Sequence, residues 1–138
     1  MRAATRDDIE RIIDMGERFV GEKYAGHIGI CREASAATLV NMIESPDMLL
    51  LVEEHGVIGA ILFKHPFSGE LVVSETFWWV DPEHRGAGIR LMREAERWAR
   101  ERGAKKMQMG EPAGSEMARF YERAGYAPIE STYQRELS

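Results

Sequence analysis

Cysteine is almost missing from this chain: Cys31 is the only one in 138 residues. A single thiol excludes an internal disulfide framework and suits a reducing compartment. Long hydrophobic runs are missing as well, since no apolar stretch approaches the ~20 residues that cross a bilayer. The N-terminus reaches Arg6-Asp7-Asp8 without the apolar core of a secretion signal. The cytoplasm is therefore the expected compartment, with no membrane partner. Positive charge is in deficit, with 18 Lys and Arg against 23 Asp and Glu and a net charge of −5. A general nucleic-acid surface is basic, so nucleic acid is not an expected partner. The four histidines, His27, His55, His65 and His84, are scattered. No pair of them has metal-ligand spacing, and no metal is expected. Repeats, low-complexity tracts and linkers are absent too.

What is present reads as one domain over residues 1–138, long enough for a single core. Met1 to Ala4 reads as a short strand. Thr5 caps a helix whose Ile9, Ile12, Ile13, Met15, Phe19 and Val20 recur at helical spacing. Glu22 to Arg32 has no period and reads as a loop. Ser35 is the expected cap of a second helix ending before Pro46. Met48–Glu53, Val57–Phe63 and Leu71–Val80 read as strands separated by turns at His55-Gly56 and Pro66–Glu70, an antiparallel meander. Ile89 to Arg102 is amphipathic, with Ile89, Met92, Ala95, Trp98 and Ala99 inward, and Gly103 stops it. Lys105–Met109 reads as a strand, Ser115 as the cap of a helix ending at Gly125, and Ile129–Leu137 as a last strand. The expected class is α/β: a mixed, mostly antiparallel central sheet with helices on both faces.

The organising stretch runs from Val80 to Leu91, strand to glycine-rich turn to helix. Pro82 ends the strand. Gly86 and Gly88 are expected to let the backbone turn tightly and approach a ligand, and the first-turn amides of the next helix form a phosphate site. A nucleotide-hydrolase loop needs Gly-Lys-Ser/Thr at its end, where this chain has Gly88-Ile89-Arg90. The dinucleotide fingerprint needs a third glycine, where Leu91 stands. Arg85-Gly86-Ala87-Gly88-Ile89-Arg90 instead resembles the acyl-CoA pyrophosphate loop of the GNAT superfamily of N-acetyltransferases, Q/R-x-x-G-x-G/A, with Arg90 in place of the last small residue. Ala118-Arg119-Phe120-Tyr121-Glu122-Arg123-Ala124-Gly125-Tyr126 is similar to the family's late segment A-x-x-F-Y-E-x-x-G-F/Y, in family order and at family-like separation. The two cover roughly the C-terminal half.

The resemblance implies the GNAT fold, in which the strands matching Leu71–Val80 and Lys105–Met109 splay and the cofactor lies between them. It implies acetyl-CoA as co-substrate and an amine as acceptor, small-molecule or peptide. The backbone of Gly86, Ala87, Gly88, Ile89, Arg90 and Leu91 would grip the pyrophosphate, with charge from Arg85 and Arg90. Trp78, Trp79 and Val80 would form a strand edge along the pantetheine arm, one tryptophan in the core and one in the cleft. Tyr121 aligns with the tyrosine that protonates the departing sulfur; on spacing alone it is an ordinary core tyrosine. The family's asparagine seven residues earlier is Gly114 here. The tail after Gly125 is short for the family, which fits a missing or swapped last strand and a homodimer that completes the sheet.

Acetyl transfer to an amine needs a base, an oxyanion donor and a proton for the thiolate. Glu75 is the candidate base, because a carboxylate inside an apolar strand is costly unless paired or facing a wet cleft. An arginine partner or solvent at the meander's edge are the other readings. His27 and His65 are weak candidates for the acceptor pocket, which Gly21–Arg32 and Phe63–Glu70 are expected to set. Cys31 lacks a histidine partner and is not read as a nucleophile. The rival functions are a non-catalytic acyl-CoA-binding or regulatory module on the same scaffold, and a nucleotide-binding domain using the same loop.

Overall fold

The computed structural model describes residues 1–138. From the N-terminus the chain forms β1 (Arg2–Ala3), a 3-10 turn (Arg6–Asp8), α1 (Ile9–Lys23), α2 (Arg32–Glu44), β2 (Met48–Glu53), β3 (Gly56–Lys64) and β4 (Leu71–Val80). A second 3-10 turn (Pro82–His84) then leads into α3 (Ala87–Glu101), β5 (Lys106–Gln108) and α4 (Ala118–Arg123). The five strands make one sheet in the order β1-β2-β3-β4-β5, antiparallel except for the parallel pairing of β4 with β5.

Strands β2 and β3 are nearly all apolar because helices cover both of their faces. Side chains alternate across a strand, and the two cores follow that alternation. Leu50, Val52, Val57 and Trp79 meet Ile9, Ile12 and Ile13 of α1 and Leu39 and Met42 of α2. Leu49, Leu51, Ile58, Ala60 and Val73 meet Leu91, Ala95 and Ala99 of α3. Leu91 is wholly buried, which is worth about 2–3 kcal/mol. At the first helix, the Asp8 carboxylate accepts from Thr5 N–H at 2.8 Å and from both Nη atoms of Arg2 at 2.7 Å. That arginine, more than any other contact, holds the carboxyl well below the usual carboxylate range.

Several expectations give way. α1 runs through Gly21 to Lys23. α2 begins before Ser35: its cap is Cys31, whose Sγ accepts from Ala34 N–H, while Arg32 in its first turn pairs with Glu10, Asp14 and Glu17 on α1. Ser115 does not cap α4; its hydroxyl donates to Glu111 and the helix starts at Ala118. Ile89 is not inward but 45% exposed, and Leu91 takes the core position. The last strand does not form: residues 127–138 have no regular structure and leave Ile129, Tyr133 and Leu137 exposed. The segment's backbone pairs with none of the five strands, and the outer edge of β5 stays open. No helix is long and apolar enough to cross a membrane.

Two irregularities position the site. β4 pairs with β5 only at Val72, Val73 and Ser74; beyond them the strands part. A bulge at Gly59 and Ala60 sets Phe77 and Glu75 as their successive partners, leaving Thr76 extra. Gly59 is required there, since a Cβ would lie 2.7 Å from Thr76 Oγ1 and 2.8 Å from Met42 Cε. A bulge re-aims the residues beside it, and the residue beside this one is Glu75.

Candidate active site

The parting of β4 and β5 opens a cleft of about 330 Å³. Glu75, Trp78, Trp79, Val80, Arg85, Gly88, Ile89 and Tyr121 all line it, so residues far apart in the sequence converge. Glu75 sits just past the last β4–β5 pair, and its Oε1 accepts from Gly110 N–H at 2.9 Å across the gap. No arginine pairs with it; burial pushes its carboxyl up to about 7, and the Gly110 amide opposes that only in part. The glycine is fitted to this contact, as a Cβ at 110 would stand 3.3 Å from Glu75 Oε1. Gly110 also accepts at its carbonyl from the Tyr121 hydroxyl, at 2.7 Å. A single glycine, two residues past β5, thus ties the acid and the phenol together. Burial and then the Glu75 charge hold the Tyr121 proton more tightly than an ordinary phenol's. That makes it a proton carrier rather than a phenolate at neutral pH.

The two tryptophans lie on opposite faces, as strand alternation requires. Trp79 is 5% exposed, stacked on Phe19 with centroids 5.7 Å apart, and its Nε1 donates to Asp81 at 3.2 Å. Trp78 faces α4, near Phe120 and Tyr121, and its buried Nε1 has no partner. A buried donor without an acceptor is uncommon and costly, and this one belongs to a cleft-lining residue.

The phosphate loop is built differently from the expectation. Neither glycine is left-handed: Gly86 has φ −58° and Gly88 lies inside α3. Gly88 is needed instead for contact between helix and strand, since a Cβ would stand 3.0 Å from Val80 Cγ2 and 3.2 Å from Trp78 Cζ2. Around Gly86 nothing lies within 4 Å of where a Cβ would be, and the amides of Gly86 and Ala87 donate to no backbone carbonyl. Free first-turn amides at the positive end of a helix, beside open space, suit a phosphate.

Gly86, Ala87 and Arg90 line a second, adjoining cavity, and Arg85 borders both. Arg90 does not crowd the loop: its side chain is 71% exposed and reaches Glu53 at 3.5 Å. Leu91 leaves the set of binding candidates, being sealed in the core. The turn Phe63–Glu70 does not border the cleft; His65 there accepts from the Phe67 and Ser68 amides. His27 does not border it either. Lys23 and Tyr24, within the other stretch expected to set the acceptor pocket, do. Phe19, Phe77 and Gly110 were not singled out from the sequence. Phe19 and Phe77 carry the pattern of core residues, and Gly110 has no local signal at all.

A mixed sheet parted beside a glycine-bearing helix start, with an acid and a phenol at the parting, is an acyltransferase architecture. Residues 17–126 match the model of the acetyltransferase (GNAT) family, and the chain belongs to that family. No curated protein matches the sequence significantly. Among solved structures, the chain is similar to a transcriptional regulator from Bacillus halodurans C-125, at 18% identity over 99% of this chain and 97% of that one, TM-score 0.80. It is similar to a Trypanosoma brucei acetyltransferase at 17% identity over 99% and 97%, TM-score 0.72. It is also similar to an aminoglycoside acetyltransferase from an uncultured soil metagenomic sample, in complex with sisomicin, at 13% identity over 99% and 95%, TM-score 0.72. At these identities the likeness is one of fold.

Proposed function

We propose that the protein transfers an acyl group, acetyl foremost, from acetyl-CoA to a primary amine by direct attack. The observation that carries this reading is the position of Glu75, a carboxyl pushed up to about 7 at the point where β4 and β5 part. A base with a value near the working pH is the most effective kind.

The residues present fit coenzyme A. The amides of Gly86 and Ala87, in the adjoining cavity, would hold the pyrophosphate together with Arg85, and the unpartnered Nε1 of Trp78, in the cleft, would offer a donor to the arm. The β4 edge from Glu75 to Val80 has no strand on its β5 side, so its backbone is free to pair along that arm and polarise the acyl oxygen. The thioester supplies an activated acetyl group. Glu75 takes one proton from the ammonium and passes it to solvent. As the C–N bond forms and the C–S bond breaks, Tyr121 gives its proton to sulfur and recovers the second amine proton. One proton is released per turnover.

The test is calorimetric binding of acetyl-CoA together with thiol release across an amine panel. Turnover that rises with pH through about 7 supports the reading. Binding without turnover by any amine, with Tyr121→Phe changing nothing, supports the non-catalytic acyl-CoA-binding alternative. A melting shift with ATP and none with acetyl-CoA overturns both.

A further inference from the structure

The cleft is lined by residues from both faces of the sheet, and its two sides differ. On the face of α3 and α4 it presents the loop, Trp78 and Tyr121. On the face of α1 it presents Phe19, Tyr24 and Phe77, and Lys23 lines it as well. Phe19 is the hinge of an aromatic wall, edge-on to Tyr24 at 5.3 Å and stacked on Trp79 at 5.7 Å. Lys23 ends α1 and is in no ion pair, whereas Arg18 on the same helix is paired with Glu22 and Asp81. Tyr24, Glu75 and Tyr121 line the same cleft.

We infer that the acceptor is an aromatic or bulky apolar α-amino acid, its side chain on the Phe19–Tyr24–Phe77 wall, its carboxylate on Lys23 and its amine at Glu75. This rests on the transferase reading above. Flat apolar surface on this side of the cleft calls for a flat apolar ligand. An unpaired lysine beside it calls for an anion next to the amine. The net charge of −5 belongs to the rest of the surface; the cleft itself holds one acid, Glu75, against Lys23 and Arg85. A polyamine or aminoglycoside would bring several ammonium groups to a site with a single carboxyl and two cations, which is repulsive.

The test measures kcat/KM from thiol release at saturating acetyl-CoA for L-phenylalanine, L-phenylalanine amide, 2-phenylethylamine, glycine and spermidine. L-phenylalanine is expected to exceed each of the others by about tenfold or more. Lys23→Gln should bring the ratio of phenylalanine to 2-phenylethylamine down to about one, and Lys23→Arg should restore it. Phe19→Ala should bring the ratio of phenylalanine to glycine down about tenfold. Acetyl-CoA titration of each variant checks that it is folded and binds the co-substrate. Spermidine as the best acceptor overturns the assignment and leaves the transferase reading intact. So does a Lys23→Gln variant that keeps the phenylalanine ratio, or equal use of the amide. Wild-type protein that does not bind acetyl-CoA overturns both.

Discussion

Strand β4 is two strands in one. From Val72 to Ser74 it is paired on both sides, and Val72 and Val73 are buried with almost no exposure. From Glu75 to Val80 it is paired with β3 alone, and it carries an acid, an extra residue and a tryptophan whose nitrogen has no partner. The adjacent indoles make the contrast within two residues: Trp79 has its hydrogen bond to Asp81 and its stacking partner, and Trp78 lacks an acceptor. The first half supplies stability by satisfying every group. The second half keeps groups unsatisfied, and those are the ones able to do chemistry. The energy stored there is offset by the packing around it.

The sharpest way to break the comparison is Glu75→Gln. Loss of the base should lower kcat/KM about 10³-fold and abolish the rise of rate with pH through about 7. Stability should move the other way. The carboxyl binds its proton more tightly in the folded protein than in the unfolded chain. Folding stability therefore falls as pH climbs from the unfolded value of ~4.3, levelling above the folded value of about 7. The amide stays neutral throughout. At pH 8 the variant should be the more stable protein by an amount on the order of 3 kcal/mol, and at pH 4 the two should melt together. Thermal melts across that range decide it; a variant less stable than wild type at pH 8 sinks the account of Glu75 as a partly buried, desolvated acid.

Gly59→Ala strikes the hinge between the halves. Its Cβ would meet Thr76 Oγ1 at 2.7 Å and Phe77 Cε1 at 2.8 Å, both on the bulge. Overpacking of this kind costs about 2–3 kcal/mol, read as a shift in urea midpoint. Because the bulge aims Glu75, turnover by the folded fraction should fall too. Unchanged activity would show that the bulge is a packing device only.

The paired half was legible in the sequence and the parted half only partly. Met48–Glu53 and Leu71–Val80 were readable to the residue, because apolar runs bounded by Pro, Gly and His-Gly turns carry their own limits. The start of α2 was not, because it depends on Arg32 finding three carboxylates on α1. Ile129–Leu137 was expected to be a last strand, yet its apolar residues, Ile129, Tyr133 and Leu137, fall four apart rather than in alternation, so the sequence signal was weak there. In the site, Glu75 and Tyr121 stood out by type and motif, and Arg85, Gly88 and Ile89 by the loop. Gly110 could not be found, because its role is to present one N–H and one carbonyl, which every residue has. Gly88 was expected for a tight turn and a close approach to a ligand, and the structure adds a constraint the sequence did not show, the distance to Val80 and Trp78.

Tyr121→Phe tests the other side of the gap. The hydroxyl bonds only to the Gly110 carbonyl, so its loss should cost about 1 kcal/mol in stability. Turnover should fall about tenfold to a hundredfold with acetyl-CoA affinity nearly unchanged. Retained turnover would move the proton donor elsewhere.

The smallest expected effect is the most discriminating. Trp78→Phe removes a buried N–H that has no acceptor, so part of the lost packing is offset by a relieved polar group. The net change in stability should stay within about 1 kcal/mol, where the same change at Trp79 breaks the Asp81 hydrogen bond and the Phe19 stack and should cost more. Affinity should invert that order. If the Trp78 nitrogen waits for an acceptor on coenzyme A, Trp78→Phe weakens acetyl-CoA binding several-fold, by about the worth of one hydrogen bond, and Trp79→Phe weakens it less. Calorimetry on the two variants side by side reads both quantities. Equal losses of affinity would mean that the unsatisfied indole is an accident of packing, and that the parted half of β4 owes its chemistry to Glu75 alone.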